Sequence, residues 1–322
     1  MVSSFIDSHG MGGILLSMEI NSEEMRFIST KDLKVLGKGS SAVIYELSEN
    51  QILKGYYKIF TKDMILEENR LTTAVYQAGI PTMKAYDVVK TEDHLGGVYE
   101  RLYAKDLIQC MKDDKENLQV YAQRFGEFVR KAHQVKLSKE DFADGRELML
   151  KVAQNRDILN INEEEQKKLI GVISNLPICD YFSHGDCHVG NVMLRDDSLL
   201  FIDVGRVTRA SAFVDFVSMF SIYRLMSYHG IYNPPVVSPN AAPFTEEERE
   251  IIWDTYLRSA TGIEDKATLQ ELERQINVVT ATRMLQIKTY NPNFFPKEIF
   301  DMFLRDITTY YDEGLTPFIE IQ

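Results

Sequence analysis

The chain has 322 residues, 48 acidic against 36 basic, a formal net charge of −12 and a hydrophobic share of 44%. That length predicts two lobes or domains rather than one core, and the composition excludes a disordered chain. There is no dense Lys/Arg block and no run of ~18 apolar residues, which argues against nucleic acid or a membrane as partner. The acidic balance suits a cationic partner and equally reports ordinary solubility charge. Cys110, Cys179 and Cys187 form no CxxC pair and no metal-ligand spacing, which points to a reducing, cytoplasmic setting.

Met1 to Ile20 lacks the basic start of a secretion signal, and residues 1–25 read as a leader or extension. Residues 26–102 read as strands with one helix. Lys34 to Leu47 alternates around the turn Gly37-Lys38-Gly39-Ser40-Ser41-Ala42, and Gln51-Ile52-Leu53-Lys54 is a short strand. Lys62 to Ala78 predicts a helix ended by Gly79 and Pro81. Tyr86 to Val89 and Gly97 to Glu100 predict a strand pair. Residues 103–322 change to long amphipathic helices. Leu118, Ala122, Phe125, Val129 and Ala132 recur at helical spacing. Glu163 to Ile173, Ala212 to Ser227, Thr245 to Ser259, Ala267 to Thr289 and Pro296 to Tyr311 read as further helices. Tyr232 to Pro243 carries Pro234, Pro235, Pro239 and Pro243, so it cannot be helical throughout. It reads as a connection, with a place beside a substrate cleft as the alternative.

Between the helices stands His184-Gly185-Asp186-Cys187-His188-Val189-Gly190-Asn191, then the apolar run Leu199-Leu200-Phe201-Ile202 and Asp203-Val204-Gly205. An Asp, an Asn five residues later and an Asp closing a buried strand are what phosphoryl transfer from ATP requires. Asp186 is the candidate general base, placed to accept the proton of an attacking hydroxyl. Asn191 and Asp203 are the candidate Mg²⁺ ligands, since Mg²⁺ takes few protein oxygens besides phosphates and water. Zinc at His184, Cys187 and His188 is disfavoured, because no further ligand pair lies nearby. Gly37 and Gly39 sit between strands rather than before a helix, which argues against a dinucleotide fingerprint. Lys54 ends an apolar pair and is the candidate phosphate-binding lysine, with Lys58 as competitor. Glu68 in the following helix is its candidate partner, with Glu67 as competitor.

The order of these parts resembles the protein-kinase-like fold, and the wording of the motifs is most similar to the aminoglycoside phosphotransferase and choline kinase superfamily. The resemblance runs from about residue 27 to the end of the chain. It implies an α+β, bilobal architecture, with a small antiparallel sheet and one helix in the N-lobe and a mostly helical C-lobe. It implies that the glycine-rich loop with Ser40 covers the phosphates, that Glu68 rather than Glu67 holds Lys54, and that the backbone of Glu100 and Leu102 meets the base. His184 and His188 would buttress the loop, and Asp215 would anchor it. Tyr223, Trp253, Tyr310 and Tyr311 read as core aromatics, with an acceptor-site lining as the alternative. Val189 stands where the family usually has Pro.

The expected activity is transfer of the γ-phosphoryl group of Mg-ATP to a hydroxyl of a small molecule: an aminoglycoside-like compound, an amino alcohol or a sugar. GTP is the open alternative donor. A nucleotide-binding module without turnover and a protein kinase are the rival readings. Against the latter, the chain lacks Ala-Pro-Glu after Gly205 and has no long activation segment.

Overall fold

The computed structural model describes residues 25–39, 41–232, 238–287, 289 and 296–321. Strands β1 (Val35–Lys38), β2 (Ala42–Ser48), β3 (Gln51–Tyr56), β4 (Ala85–Lys90) and β5 (Leu95–Glu100) form one antiparallel sheet in the order β1-β2-β3-β5-β4. The β3 strand runs two residues past Lys54, pairing Ala42 with Tyr56 and Lys54 with Gly97. Side chains alternate along a strand. Leu53 therefore packs with Val89 and Val98 on one face, while Tyr56 joins Ala42, Ile65 and Val88 on the other. That second face is covered by helix α1 (Lys62–Gln77), so Lys54 and Tyr56 project toward it. Thr61 caps α1 by accepting from the Met64 amide, and Gly79 at φ +79° turns the chain out of it.

The larger lobe begins with a short strand β6 (Lys105–Asp106) and helix α2 (Leu107–Asp113), followed by α3 (Leu118–Ala132), whose stripe of Leu118, Ala122, Phe125, Val129 and Ala132 is buried. Phe125 stacks on Tyr256 at 5.2 Å between centroids. A fully buried aromatic of this kind contributes about 1.5–3 kcal/mol. Helices α4 (Gly145–Ala153), α5 (Arg156–Leu159) and α6 (Glu163–Asn175) lead to strand β7 (Phe182–Ser183). The hairpin of β8 (Val192–Arg195) and β9 (Ser198–Phe201) follows, then β10 (Thr208–Arg209), which pairs with β7.

Helices α7 (Phe213–Tyr223) and α8 (Leu225–Tyr228) replace the single helix expected over Ala212 to Ser227. The break is at Arg224, which leaves helical geometry at φ −124° while its guanidinium pairs with Glu273. Helices α9 (Glu246–Thr261), α10 (Lys266–Ile287) and α11 (Lys297–Asp312) complete the lobe. Thr245 and Glu248 form a capping box at the start of α9.

The lobes are joined at the segment after β5 and also across a second seam. Thr82, just past α1, donates its hydroxyl to Phe201 O at 2.9 Å, and Phe201 N donates to Pro81 O at 2.9 Å. Phe201 is itself buried against Phe128 and Phe182 of the large lobe. The strand that delivers Asp203 is thus held by both lobes.

Candidate active site

The loop between β7 and β8 is fixed from behind by one carboxylate. Asp215, in the first turn of α7, is fully buried. It accepts from Ser183 Oγ at 2.9 Å, from the His184 and Gly185 amides at 2.8 Å each, and faces His133 Nε2 at 2.9 Å. Burial pushes its carboxyl upward, but these bonds, led by His133, outweigh that and hold it below the usual carboxylate range. Gly185 has φ +79°, and a Cβ there would lie 2.6 Å from Arg206 O, so only glycine fits. His184 donates from Nε2 to Ile202 O at 3.0 Å and accepts the Asp186 amide at Nδ1 at 3.3 Å. This bridge ties the loop to the end of β9.

Asp186 points its Oδ1 at Ser218 Oγ, 3.2 Å away, and at His188 Nε2, 3.6 Å away. Asn191 donates its side-chain NH₂ to Asp186 O at 2.9 Å, and its backbone carbonyl accepts the Ile202 amide at 2.9 Å. With its NH₂ committed, Asn191 presents an amide oxygen that takes no hydrogen bond among the described residues and can serve as a hard donor. His188 is buried, and burial keeps its imidazole below the ordinary range and hence neutral.

Asp203 adopts φ +54°, a left-handed conformation that is costly for a non-glycine residue and is held by its neighbours. About half of its side chain is open, at 53%. Its Oδ1 accepts from Lys54 Nζ at 2.7 Å, and the lysine holds the carboxyl below the usual range. The same Nζ donates to Glu68 Oε1 at 2.7 Å. Burial of Lys54 opposes its charge, but Asp203 and Glu68 outweigh it and raise its pKa. Of the competitors, Glu67 pairs with Arg70 at 2.7 Å, and Lys58 is exposed. Gly205 lets α1 come close: a Cβ there would lie 2.7 Å from Glu68 Cγ. Behind Lys54, the hydroxyls of Tyr56 and Tyr99 meet at 2.9 Å, and burial raises both phenols.

The glycine-rich turn holds itself through Gly39 N to Ala42 O at 2.9 Å, with Tyr57 OH donating to Gly39 O at 3.2 Å. Gly37 lies in β1 with open space about it, and Ser40 falls outside the described residues. In the linker, Glu100 uses its carboxylate on the Lys84 amide at 3.2 Å and faces Arg195 at 3.7 Å. The Leu102 amide has no hydrogen-bond acceptor among the described residues. The structure therefore brings Lys54, Glu68 and Asp203 into direct contact and links Asp186 to Asn191. Gly37 lies in β1, Gly39 in the turn after it, Glu100 at the end of β5 and Leu102 in the linker, and none of them touches these groups in any described hydrogen bond.

Two residues at the loop were not singled out from sequence. Ser218 stands one helical turn after Asp215, so the i,i+3 rule would have placed both on the face toward the loop. Asn240 lies in the proline-bearing segment, and its amide approaches His188 Nδ1 at 3.4 Å. No spacing signals that contact. The reading of 232–243 as a plain connection is therefore incomplete: residues 233–237 lie outside the described set, but its later part reaches the loop. Tyr223, Trp253 and Tyr310 are buried in the core and Tyr311 is half-buried against it.

These features define a kinase-like phosphotransferase fold, and solved structures share it. The ADP-bound aminoglycoside phosphotransferase APH(2'')-Ib aligns over 86% of this chain and 91% of its own, at 12% identity and a TM-score of 0.55. The choline/ethanolamine kinase family protein from Mesorhizobium loti aligns over 87% and 88%, at 13% identity and a TM-score of 0.53. The streptomycin–ATP ternary complex of APH(2'')-IIa aligns over 84% and 87%, at 12% identity and a TM-score of 0.52. No curated protein matches the sequence. A model of the phosphotransferase enzyme family matches residues 32–232, and the chain belongs to that family.

Proposed function

We propose that the protein transfers the γ-phosphoryl group of Mg-ATP to a hydroxyl of a small molecule, with residues 26–102 as the nucleotide-binding lobe and 103–322 carrying the catalytic loop and the acceptor site. The observation that carries this reading is Lys54 at 2.7 Å from both Glu68 and Asp203, a cation fixed beside an open carboxylate. Lys54, oriented by Glu68, holds the α- and β-phosphates. The turn at Gly37, Gly39 and Ser40 covers them, and the backbone of Glu100 and Leu102 meets the base, which leaves ATP and GTP both admissible. Asp186 orients the acceptor hydroxyl and takes its proton.

The donor set suits magnesium. The described residues hold no cluster of three or more His, Cys, Asp or Glu of the kind that cages a softer or larger metal. What they offer is the open carboxylate of Asp203 and the free amide oxygen of Asn191, and Mg²⁺ ordinarily completes its shell with phosphate and water. Bound there, Mg²⁺ would neutralise charge on the phosphates.

The acceptor is an aminoglycoside-like compound, an amino alcohol or a sugar, and the net charge of −12 suits a cationic one. The absence of a cysteine pair suits a cytoplasmic setting. The test is Mg²⁺-dependent ADP release against a panel of such acceptors. Asp186→Ala should lower turnover by roughly 10²- to 10⁴-fold, with Mg-ATP affinity kept. Equal turnover in the variant removes Asp186 from the mechanism. A Mg-ATP thermal shift with no turnover on any acceptor favours a regulatory nucleotide-binding module instead.

A further inference from the structure

Asp186 has two oxygens, and the structure treats them differently. Oδ1 faces Ser218 Oγ at 3.2 Å and His188 Nε2 at 3.6 Å. Oδ2 meets no donor among the described residues. The imidazole of His188 cannot turn to suit: it is 3% exposed, and its Nδ1 stands 3.0 Å from the Gly190 amide. A backbone N–H is always a donor, so Nδ1 must be an acceptor and carries no hydrogen. A neutral ring then bears its single hydrogen on Nε2. That nitrogen is buried and makes no hydrogen bond among the described residues, and the group it faces, 3.6 Å away, is the Asp186 carboxylate.

We propose that His188 and Ser218 are positioning residues that pin Oδ1 of Asp186, so that Oδ2 is the atom that takes the acceptor's proton. This rests on Asp186 being the base of the phosphotransfer proposed above. Gly190 fixes the tautomer of His188, the tautomer aims an N–H at Oδ1, and Ser218 supplies the second donor from α7. Ser218 already donates to Oδ1 and His188 stands beside it, so with both donors engaged the rotation of the carboxylate is fixed and the lone pairs of the other oxygen are left for the acceptor. Catalytic hydrogen bonds in unliganded sites are often long and tighten when the site fills. In the reaction His188 Nε2 closes from its 3.6 Å separation onto Oδ1. In the reaction the acceptor oxygen bonds to the γ-phosphorus as the bond to the β,γ-bridging oxygen breaks. The electron pair of that bond leaves with ADP, and the hydroxyl proton passes to Oδ2.

The full chain labelled with ¹⁵N at histidine gives the direct readout. Long-range proton–nitrogen correlation near neutral pH, with His188 assigned by the loss of its peaks in His188→Gln, should show Nε2 protonated and Nδ1 bare. The opposite tautomer, or a doubly protonated ring, overturns the proposal. The kinetic readout is Mg-ATP turnover with water as acceptor. His188→Asn places an amide oxygen where Nδ1 was, keeping the bond from Gly190 while losing the donor to Asp186. Its kcat should fall roughly 10- to 100-fold at unchanged KM for ATP, as small misplacements of reacting groups do. His188→Gln places an amide nitrogen where Nε2 was and should recover most of that loss, while Ser218→Ala should lower kcat in the same way. Equal losses in the Asn and Gln variants, or losses that appear in KM, would make His188 a loop brace only. Asp186→Ala separates the two readings. If it leaves turnover intact, the base role falls and the assignment of Oδ2 with it; if it removes turnover while Asn and Gln behave alike, only the positioning role falls.

Discussion

Asp215 and Asp203 lie close in sequence on either side of β10, yet they are built into the molecule in opposite ways. Asp215 is sealed from solvent and saturated by Ser183, His184, Gly185 and His133. Asp203 keeps half its side chain open, and among the described residues its carboxylate takes a hydrogen bond from Lys54 alone. A carboxylate whose lone pairs are all taken can only hold other groups in place. One with a free oxygen on an exposed edge is left to meet something from outside. The first belongs to the framework of the loop, and the second to what the loop is for.

Stability measurements can break this contrast. Asp215→Ala strips the buried His133, Ser183 and two loop amides of their acceptor, and should lower unfolding free energy by about 3–5 kcal/mol. An Ala variant as stable as the parent in a denaturant titration would show that the loop does not depend on Asp215. The pH dependence follows from the same residue. Its native carboxyl binds a proton less readily than the unfolded one, near pKa ~3.9, so the stability it contributes is complete above that value. It is lost as pH falls through the lower native value. The stability gap between parent and Asp215→Asn should accordingly be widest near neutrality and narrow below about pH 4. A gap that widens on acidification contradicts the assignment.

Asp203→Ala is expected to cost about 1 kcal/mol or less, since the pair is half-open and Glu68 still holds Lys54. It should nonetheless abolish the Mg²⁺ dependence of nucleotide binding in a calorimetric titration. Retained dependence would remove Asp203 as a metal ligand. The smallest effect is on the glycine-rich turn. Tyr57→Phe loses one exposed hydrogen bond to Gly39 O and should cost about 0.5 kcal/mol at most. Raised mobility in hydrogen exchange confined to residues 37–42 would be its signature, and unchanged exchange there would show that the tyrosine does not brace the turn.

Much of the framework was legible because it follows from local rules. The helices at 62–77, 118–132, 163–175 and 246–261 declare themselves through apolar spacing, and the structure adds side-chain caps at Thr61, Asn162 and Thr245. Lys54 was readable as a strand residue following an apolar pair, although its strand runs on to Tyr56, because the side chains there bury against α1. The break at Arg224 was not readable from apolar spacing, and the partner its guanidinium finds there, Glu273, lies in a helix far along the chain. Nor was Asn240 against His188, where the partners come from loops far apart in the chain. Periodicity reports which face of an element is buried. It does not report which loops meet.

The bond between Thr82 and Phe201 has a mechanical consequence. Because the exit of α1 is stitched to the last residue of β9, swinging the small lobe away as a free lid would break the two hydrogen bonds of that seam. Any rotation has to turn about an axis through that stitch and the segment after Glu100. Points near the axis, such as the meeting of Lys54, Glu68 and Asp203, then travel little. The glycine-rich turn, out on the end of the lever, travels most. The cleft is a jaw hinged at its back, with its fixed chemistry at the pivot and its cover at the tip.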